Sequence, residues 1–462
     1  MYSSIDKTII EELSSIVGKD YVIFDTDRVE AYLLDETPPP IRPEPCRNVV
    51  VVKPASTEEV SSVLRLAYKS RIPVFPRGGG TGLVGGCIPT RSGIILCLER
   101  MNRISVDMDN MMAEVEAGAT LRDLIEAADR NGLFFPPHPG DESAQIGGLI
   151  ACNAGGARAV RTGVMRNYVK GIEAVLPTGD ILKLGGKLIK DNTGYDLMQL
   201  IIGSEGTLAV ITKAFIRLYP RLPFSLTIIV PFDSRSAALE TVPKILKSGI
   251  MPLAIEYVDR IPIEISASRL GLEWPCKEGE AFLIIILAEQ DEDYLYKLCE
   301  NLLDICVESG SFEPLVAERR DEQDKILKIR SEIYTALKPN MIDILDVTVP
   351  PASIGLLMDE VDEIAKSYNT YLPAYGHAGD GNIHIHIMRE DGWDEATYDE
   401  VRDRVYRVAL ELGGVITGEH GIGFVRRYSL LRFSHPIYID LIRKIKQIFD
   451  PNNILNPDKL LP

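Results

Sequence analysis

Only six histidines occur among the 462 residues, and four of them lie between positions 377 and 420. His377-Ala378-Gly379-Asp380-Gly381-Asn382-Ile383-His384 places two imidazoles on either side of a glycine turn. Beyond the turn, Asn382, His384 and His386 alternate with Ile383, Ile385 and Ile387. A period of two predicts a strand with the polar side chains on one face and the isoleucines on the other. A second piece, Thr417-Gly418-Glu419-His420-Gly421-Ile422-Gly423, adds a carboxylate and a further imidazole. Two histidines and one carboxylate with open positions suit a divalent metal, and zinc, iron(II) and manganese all accept such mixed nitrogen and oxygen ligands. The alternative for each histidine is a hydrogen-bonded place in the core.

A different chemistry is written in Pro76-Arg77-Gly78-Gly79-Gly80-Thr81-Gly82-Leu83-Val84-Gly85-Gly86, where six of eleven residues are glycine. Ordering such a run costs more backbone entropy than any other composition. A large anionic ligand on bare backbone is the compensation, because successive N–H groups converge on a diphosphate. Gly80-Thr81-Gly82-Leu83-Val84-Gly85 matches the G-x-G-x-x-G dinucleotide pattern. That pattern requires a helix to open at its last glycine. Here Gly86 to Gly93 cannot start one, and an apolar strand, Ile94 to Leu98, follows. This context argues against a Rossmann site. Further glycine clusters stand at Pro139 to Gly156 and at Gly203-Ser204-Glu205-Gly206-Thr207. Three separated loops call for a ligand long enough to touch them all, and FAD is such a ligand.

These segments, together with Asn167 to Gly179 and Gly194-Tyr195-Asp196-Leu197, resemble the FAD-binding domain of the vanillyl-alcohol-oxidase superfamily. The likeness is closest to its 2-hydroxy-acid branch of D-lactate dehydrogenases, the glycolate oxidase catalytic subunit and D-2-hydroxyglutarate dehydrogenase. It runs over nearly the whole chain, including the ending Asp450-Pro451-Asn452-Asn453-Ile454-Leu455-Asn456-Pro457-Asp458-Lys459. The resemblance implies an α+β fold in which a two-part FAD-binding domain (1–220 and a returning segment, 416–462) carries an α+β cap (221–415) over the flavin. It implies FAD contacts at Pro76, Arg77, Gly78, Gly79, Gly80, Thr81, Gly82, Leu83, Gly140, Ile146, Gly147, Gly148, Ala151, Asn153, Gly156, Glu205, Gly206, Ile211 and Asn456. The FAD is expected to be non-covalent, because no histidine lies near the first glycine loop.

The same resemblance makes His377, His384 and Glu419 the metal ligands and His420 the catalytic base, a role that suits a group titrating near neutrality. His386 is left a supporting or packing role. Arg330 aligns with the substrate arginine, whose planar fork grips a carboxylate through two hydrogen bonds. The expected activity is oxidation of a short D-2-hydroxy acid, D-lactate above all, to the 2-oxo acid. Hydroxyglutarate enzymes carry a lysine just before their Asp-x-Ser/Thr-x-Pro stretch. The equivalent Met341 to Pro350 has none, which favours D-lactate or glycolate. Other readings on the same fold are an alkyl-ether-lipid synthase or aryl-alcohol oxidase, neither of which needs the metal set, and a flavin-binding subunit without chemistry.

Composition bounds the partners. A formal net charge of −17 argues against nucleic acid and against an anionic membrane surface. No apolar stretch reaches the ~20 residues of a membrane span. Seven scattered cysteines without a C-x-x-C pair read as reduced thiols in a cytoplasmic protein and offer no iron–sulfur cluster. The reduced flavin must then pass its electrons outward, to an electron-transferring flavoprotein, an iron–sulfur subunit or oxygen, with a protein partner favoured.

The elements that must hold these residues are legible by pattern. Ile9, Ile10, Leu13, Ile16 and Val17 recur at helical spacing. Asn48 to Val52 reads as a strand, and Ser56-Thr57-Glu58-Glu59 as a capping box for the helix that follows. A helix is expected from Thr120 to about Gly132, strands over 225–230 and 281–287, one long helix over 317–337, and a last helix ending near Phe449.

Overall fold

The computed structural model describes residues 2–462, and the glycine loops lie between elements of its first two sheets. The first sheet runs Val22–Ile23, Val49–Val52, Gly93–Cys97, Val74–Arg77, and its last three strands are parallel. Helices Lys7–Val17 and Thr57–Ser70 cover one face, burying Leu13, Val60, Val63 and Leu64 against Val50 and Ile94. Ser56 caps the second helix by accepting the Glu59 N–H, but the Glu59 carboxylate reaches the N–H of Ala55 instead of Ser56. The expected capping box is thus displaced by one residue. The second sheet is antiparallel, in the order Ile104–Asp107, Met112–Glu116, Val210–Arg217, Val169–Val175, Ile181–Gly185.

The third sheet has seven antiparallel strands, in the order Leu315–Ala317, Phe224–Phe232, Ala281–Glu289, Ala254–Asp259, Ala374–His377, Asn382–Met388, Met341–Thr348. Apolar clusters lie on both of its faces, so its strands read as nearly continuous hydrophobic runs. Its register matters most for function. Asp346 and Tyr375 both stand directly across from His384 on the two flanking strands.

One expected element is wrong in detail. The segment 317–337 is not one helix: a short strand ends at Ala317, a helix spans Arg320–Ser331, and a second, Ile333–Leu337, follows a break at Glu332. Ile329 and Ile333, four residues apart, enter one apolar cluster on either side of the break, and Arg330 turns toward the sheet. The chain after 415 is stitched back to the first sheet. Val74 N–H donates to Ile454, Asn456 N–H donates to Val74, each at 2.7 Å, and the buried Lys459 ammonium reaches the Ile88 carbonyl at 2.8 Å. Arg426 is buried in a two-pronged ion pair with Asp343, which ties this returning segment to the third sheet as well.

Candidate functional site

The three glycine loops border a common open trough. A Cβ placed on Gly78 would lie 3.6–3.8 Å from Gln145 and Gly148, so the first loop packs on the second cluster. One on Gly206 would lie 3.5 Å from Pro76 and 3.9 Å from Asn456 Nδ2, which brings in the third loop and the C-terminal segment. On Gly86, Gly140 and Gly148 it would meet nothing within 4 Å. Buried and without hydrogen-bond partners, Gln145 Oε1 and Asn456 Oδ1 are polar atoms of the kind a bound ligand satisfies. The residues present therefore fit a long polar cofactor.

Within this cradle the residues divide by role. Gly78, Gly79, Gly80, Thr81, Gly82 and Leu83 form a half-buried loop, exposed at Gly79 and Gly82, between the strand ending at Arg77 and the next strand. Arg77 lies underneath: its Nη1 donates to Leu34 O at 2.8 Å, and its guanidinium fills the space below Gly80. Gly147 packs on Ala117, Ile146 and Ile211 have buried side chains, and Ala151 lies on the helix Ile146–Cys152. Asn153 ends that helix in the left-handed region and accepts Arg166 N–H. Gly156 sits with φ +114° hard against the His138 carbonyl. The Glu205 carboxylate is taken up by Ile422 and Gly423 N–H groups at 2.8 and 2.7 Å, so it anchors the returning segment rather than facing the trough. Asn456 Nδ2 bridges Gly86 O and Glu205 O. Gly80 has φ +74°, and an alanine Cβ there would fall 2.3 Å from Arg77 Nη2. Gly80→Ala is expected to cost about 1–2 kcal/mol in strain, roughly a tenfold loss of FAD affinity. Flavin retained through gel filtration measures it.

At one end of the third sheet, three imidazoles aim at a single oxygen. His377 Nε2, His384 Nε2 and His420 Nε2 lie 3.3, 3.5 and 3.9 Å from Glu419 Oε1. The His377 and His384 rings are perpendicular, whereas those of His384 and His420 are stacked with centroids 5.0 Å apart. Behind each ring stands a buried carboxylate: Glu256 Oε1 is 2.6 Å from His377 Nδ1, and Asp346 is 3.3 Å from His384 Nδ1 and 3.8 Å from His420 Nδ1. The Asp346–His384 contact is not aligned as a hydrogen bond, so that nitrogen lacks a formal partner. Imidazoles backed by carboxylates and facing a common point are the arrangement a divalent cation requires.

Asp346, His384, Glu419 and His420 offer ligand atoms all within 4.8 Å of one another. Asp346 is the poorest donor of the four. Its Oδ2 already accepts the backbone N–H groups of Gly418, Glu419 and His420 at 2.8–2.9 Å and the Thr417 hydroxyl at 3.0 Å, and its Oδ1 accepts Asn382 Nδ2 at 2.8 Å. It shapes the loop that carries Glu419 and His420. Gly418 is required there, because a Cβ would sit 2.2 Å from Thr348 Oγ1.

The electrostatics follow the geometry. Burial works against the charged form of Glu419, yet His377 and His384 outweigh it and hold the carboxyl down at about 2. Burial disfavours the His377 cation, but Glu256 and Glu419 raise its pKa well above the ordinary histidine value. Burial holds His384 below its ordinary value. His386 is buried with its Nδ1 2.8 Å from Met341 Sδ and its ring tilted over Tyr375, away from the convergence point. Gly155 links the two parts: its Cβ would lie 2.8 Å from Glu419 Oε2, so the second glycine cluster lies directly against the Glu419 carboxylate.

Arg330, at the end of its helix, is buried. Its Nη2 lies 2.6 Å from Glu256 Oε2, and its guanidinium stacks 4.5 Å from the Tyr375 ring centroid. Neither Arg330 Nε nor Nη2 has an aligned hydrogen-bond partner, the Nη2 contact with Glu256 being an ion pair alone. A buried, partnerless guanidinium N–H beside an imidazole cluster fits a carboxylate ligand.

Comparison with known proteins finds matches along most of the chain. Residues 49–185 match the FAD binding domain family, and 223–460 match the family of FAD linked oxidases, C-terminal domain. The chain is 45% identical to a D-lactate dehydrogenase of Archaeoglobus fulgidus over 452 residues, 98% of this chain and 99% of that one. It is 35% identical to the glycolate oxidase subunit GlcD of Bacillus subtilis over 423 residues, 89% and 88% of the two chains. Its fold matches the 4-ethylphenol oxidase of Gulosibacter chungangensis with a TM-score of 0.77 at 20% identity, covering 98% and 96% of the chains. The architecture is thus of the vanillyl-alcohol-oxidase type, and no helix among the described residues is long and apolar enough to cross a membrane. Two matched family models and full-length relatives above 30% identity make one assignment: the chain belongs to the FAD-linked oxidases and is a flavin-dependent oxidoreductase.

Proposed function

We propose that this chain oxidises a short D-2-hydroxy acid, D-lactate in the first place, to the 2-oxo acid. FAD occupies the trough, a divalent cation is held by His377, His384 and Glu419, and electrons leave to a protein acceptor. The observation that carries this reading is the convergence of three imidazole Nε2 atoms on one carboxylate oxygen. When bound, the flavin accepts a hydride and the cation lowers the energy of the forming alkoxide.

The chain's own residues do the rest. Arg330 holds the substrate carboxylate through its free N–H edge. His420 takes the hydroxyl proton at Nε2, an assistance typically worth ~10²–10⁴ in rate. Asp346 keeps the His420 backbone and ring oriented. The buried walls of the third sheet exclude water, which strengthens each of these polar contacts. The D-lactate assignment rests on the Archaeoglobus relative and on the absence of a lysine in Met341 to Pro350. A protein acceptor is favoured because the chain has no second redox motif.

Arg330→Lys is expected to raise the substrate KM about 10–100-fold with a smaller change in kcat. A point charge replaces a fork, removing a charge-assisted hydrogen bond of about 1.5–3 kcal/mol. Steady-state kinetics decide it. An unchanged KM removes Arg330 from the substrate site. The whole reading is tested by metal analysis of the purified flavoprotein and by anaerobic mixing with D-lactate, L-lactate, glycolate and 2-hydroxyglutarate. Flavin bleaching by D-lactate in a metal-bearing protein supports it. Bleaching that survives complete metal removal overturns it. Adding an electron-transferring flavoprotein to the reduced enzyme, against oxygen alone, tests the acceptor.

A further inference from the structure

Glu256 stands in a strand that is otherwise apolar on this side, Ala254-Ile255-Glu256-Tyr257-Val258, and its side chain is buried. A lone buried carboxylate is costly unless it is paired on all sides. Glu256 is paired twice, and with the two halves of the proposed chemistry. Oε1 lies 2.6 Å from His377 Nδ1, and Oε2 lies 2.6 Å from Arg330 Nη2. One carboxylate thus touches the back of a cation-facing imidazole and one prong of the guanidinium that awaits the substrate carboxylate.

We propose that Glu256 is a positioning residue that couples the metal site to the substrate-carboxylate anchor. This rests on the function proposed above. Accepting the Nδ1 proton leaves the His377 Nε2 lone pair directed at the cation and makes the ring a stronger donor. The ion pair at Nη2 holds the guanidinium over Tyr375 without an aligned hydrogen bond, so Nε and Nη2 both keep N–H groups to meet the substrate. The same carboxylate balances the Arg330 charge, so the guanidinium stays ordered in the dry site before substrate arrives. Neither Asp346 nor Glu419 can substitute. Asp346 is filled by the 417–420 loop and Asn382, and Glu419 lies on the cation side of His377.

The test uses Glu256→Gln in the full-length flavoprotein, with cation removed by chelation and added back as Mn²⁺ or Zn²⁺ in a calorimetric titration. The amide keeps the shape and can still accept from His377, but it loses the charge and presents N–H groups toward Arg330. The expected result is a 10–100-fold weaker cation affinity and at least a tenfold higher KM for D-lactate, with kcat less affected and the bound-flavin spectrum unchanged. The double variant Glu256→Gln/Arg330→Lys is expected to raise KM by much less than the product of the single effects, because the two residues act through one contact. Wild-type cation affinity together with wild-type KM in Glu256→Gln overturns the proposal. So does a strictly multiplicative double variant. If Glu256→Gln does not fold, Glu256→Asp serves instead: it keeps the charge but is one methylene too short for both partners, so at least one of the two readouts must shift tenfold, and neither shifting overturns the idea. A wild-type protein that takes up no cation refutes the proposed function itself, a result readable without any variant.

Discussion

Glu419→Gln is expected to strip the protein of its divalent cation and to lower kcat/KM at least about 10³-fold, the equivalent of ~4 kcal/mol. Several kilocalories of that order are what a Lewis acid supplies to a forming alkoxide. The three imidazoles that face Glu419 Oε1 at 3.3–3.9 Å would face a neutral amide instead of a charge. His377 would lose one of the two carboxylates that raise its pKa. Flavin content is expected to stay at the wild-type level, because the amide keeps the shape that Glu419 presents to the glycine loop at Gly155. The wild-type titration has a second signature. With burial overcome by Glu256 and Glu419, His377 carries a proton near neutrality, and a cation must displace it. Cation uptake by the metal-free protein should therefore release a proton and strengthen as pH rises. Elemental analysis, kinetics and calorimetry in buffers of different ionisation enthalpy check the three parts. Full cation occupancy with kcat/KM within threefold of wild type would remove Glu419 from the site.

That pair of halves, a glycine-lined trough and an imidazole cluster, could be read from the chain because each has a pattern with few alternative explanations. Six glycines in eleven residues demand a ligand, and imidazoles spaced across a glycine turn demand a shared face. The supporting groups were harder to see. Glu256 carries a signal in hindsight, one carboxylate inside an apolar strand, but its partners Arg330 and His377 lie 74 and 121 residues away. Only the register of the seven-stranded sheet and the break at Glu332 bring them together. Asp346 sat inside a stretch that sequence comparison singles out, yet its task is to gather the N–H groups of a loop 70 residues on, and no local pattern encodes that. Arg77 and Glu205 stand in the glycine motifs, and their side chains brace the scaffold, Arg77 on Leu34 O and Glu205 on the N–H groups of Ile422 and Gly423. The single helix expected over 317–337 fails because its apolar positions keep helical spacing across Glu332, where Ile329 and Ile333 share one face, so no local pattern marks the break that the structure places there.

Asp346→Asn carries the largest expected structural effect, and it follows from counting donors. Asp346 Oδ2 accepts three backbone N–H groups and a hydroxyl, while Oδ1 accepts from Asn382. An amide in either orientation turns one of those acceptors into a donor facing donors. Breaking a buried charged network of this kind costs about 3–5 kcal/mol. A shift of about 1 Å in the loop bearing Glu419 and His420 is expected to lower kcat by roughly 100-fold. The pH dependence fixes the cause. Burial opposes the Asp346 charge, but His420, His384 and the loop N–H groups hold its pKa well below 3.8. A depressed carboxyl contributes its full stability above the unfolded value and loses it as pH falls toward the folded one. The stability gap between wild type and variant should therefore be constant from neutrality down to about pH 4 and narrow below it. Denaturant melts at a series of pH values measure that gap. A gap as wide at pH 3 as at pH 7 would show that the charge of Asp346 is not what organises the 417–420 loop, and the geometry of the imidazole cluster would need another source.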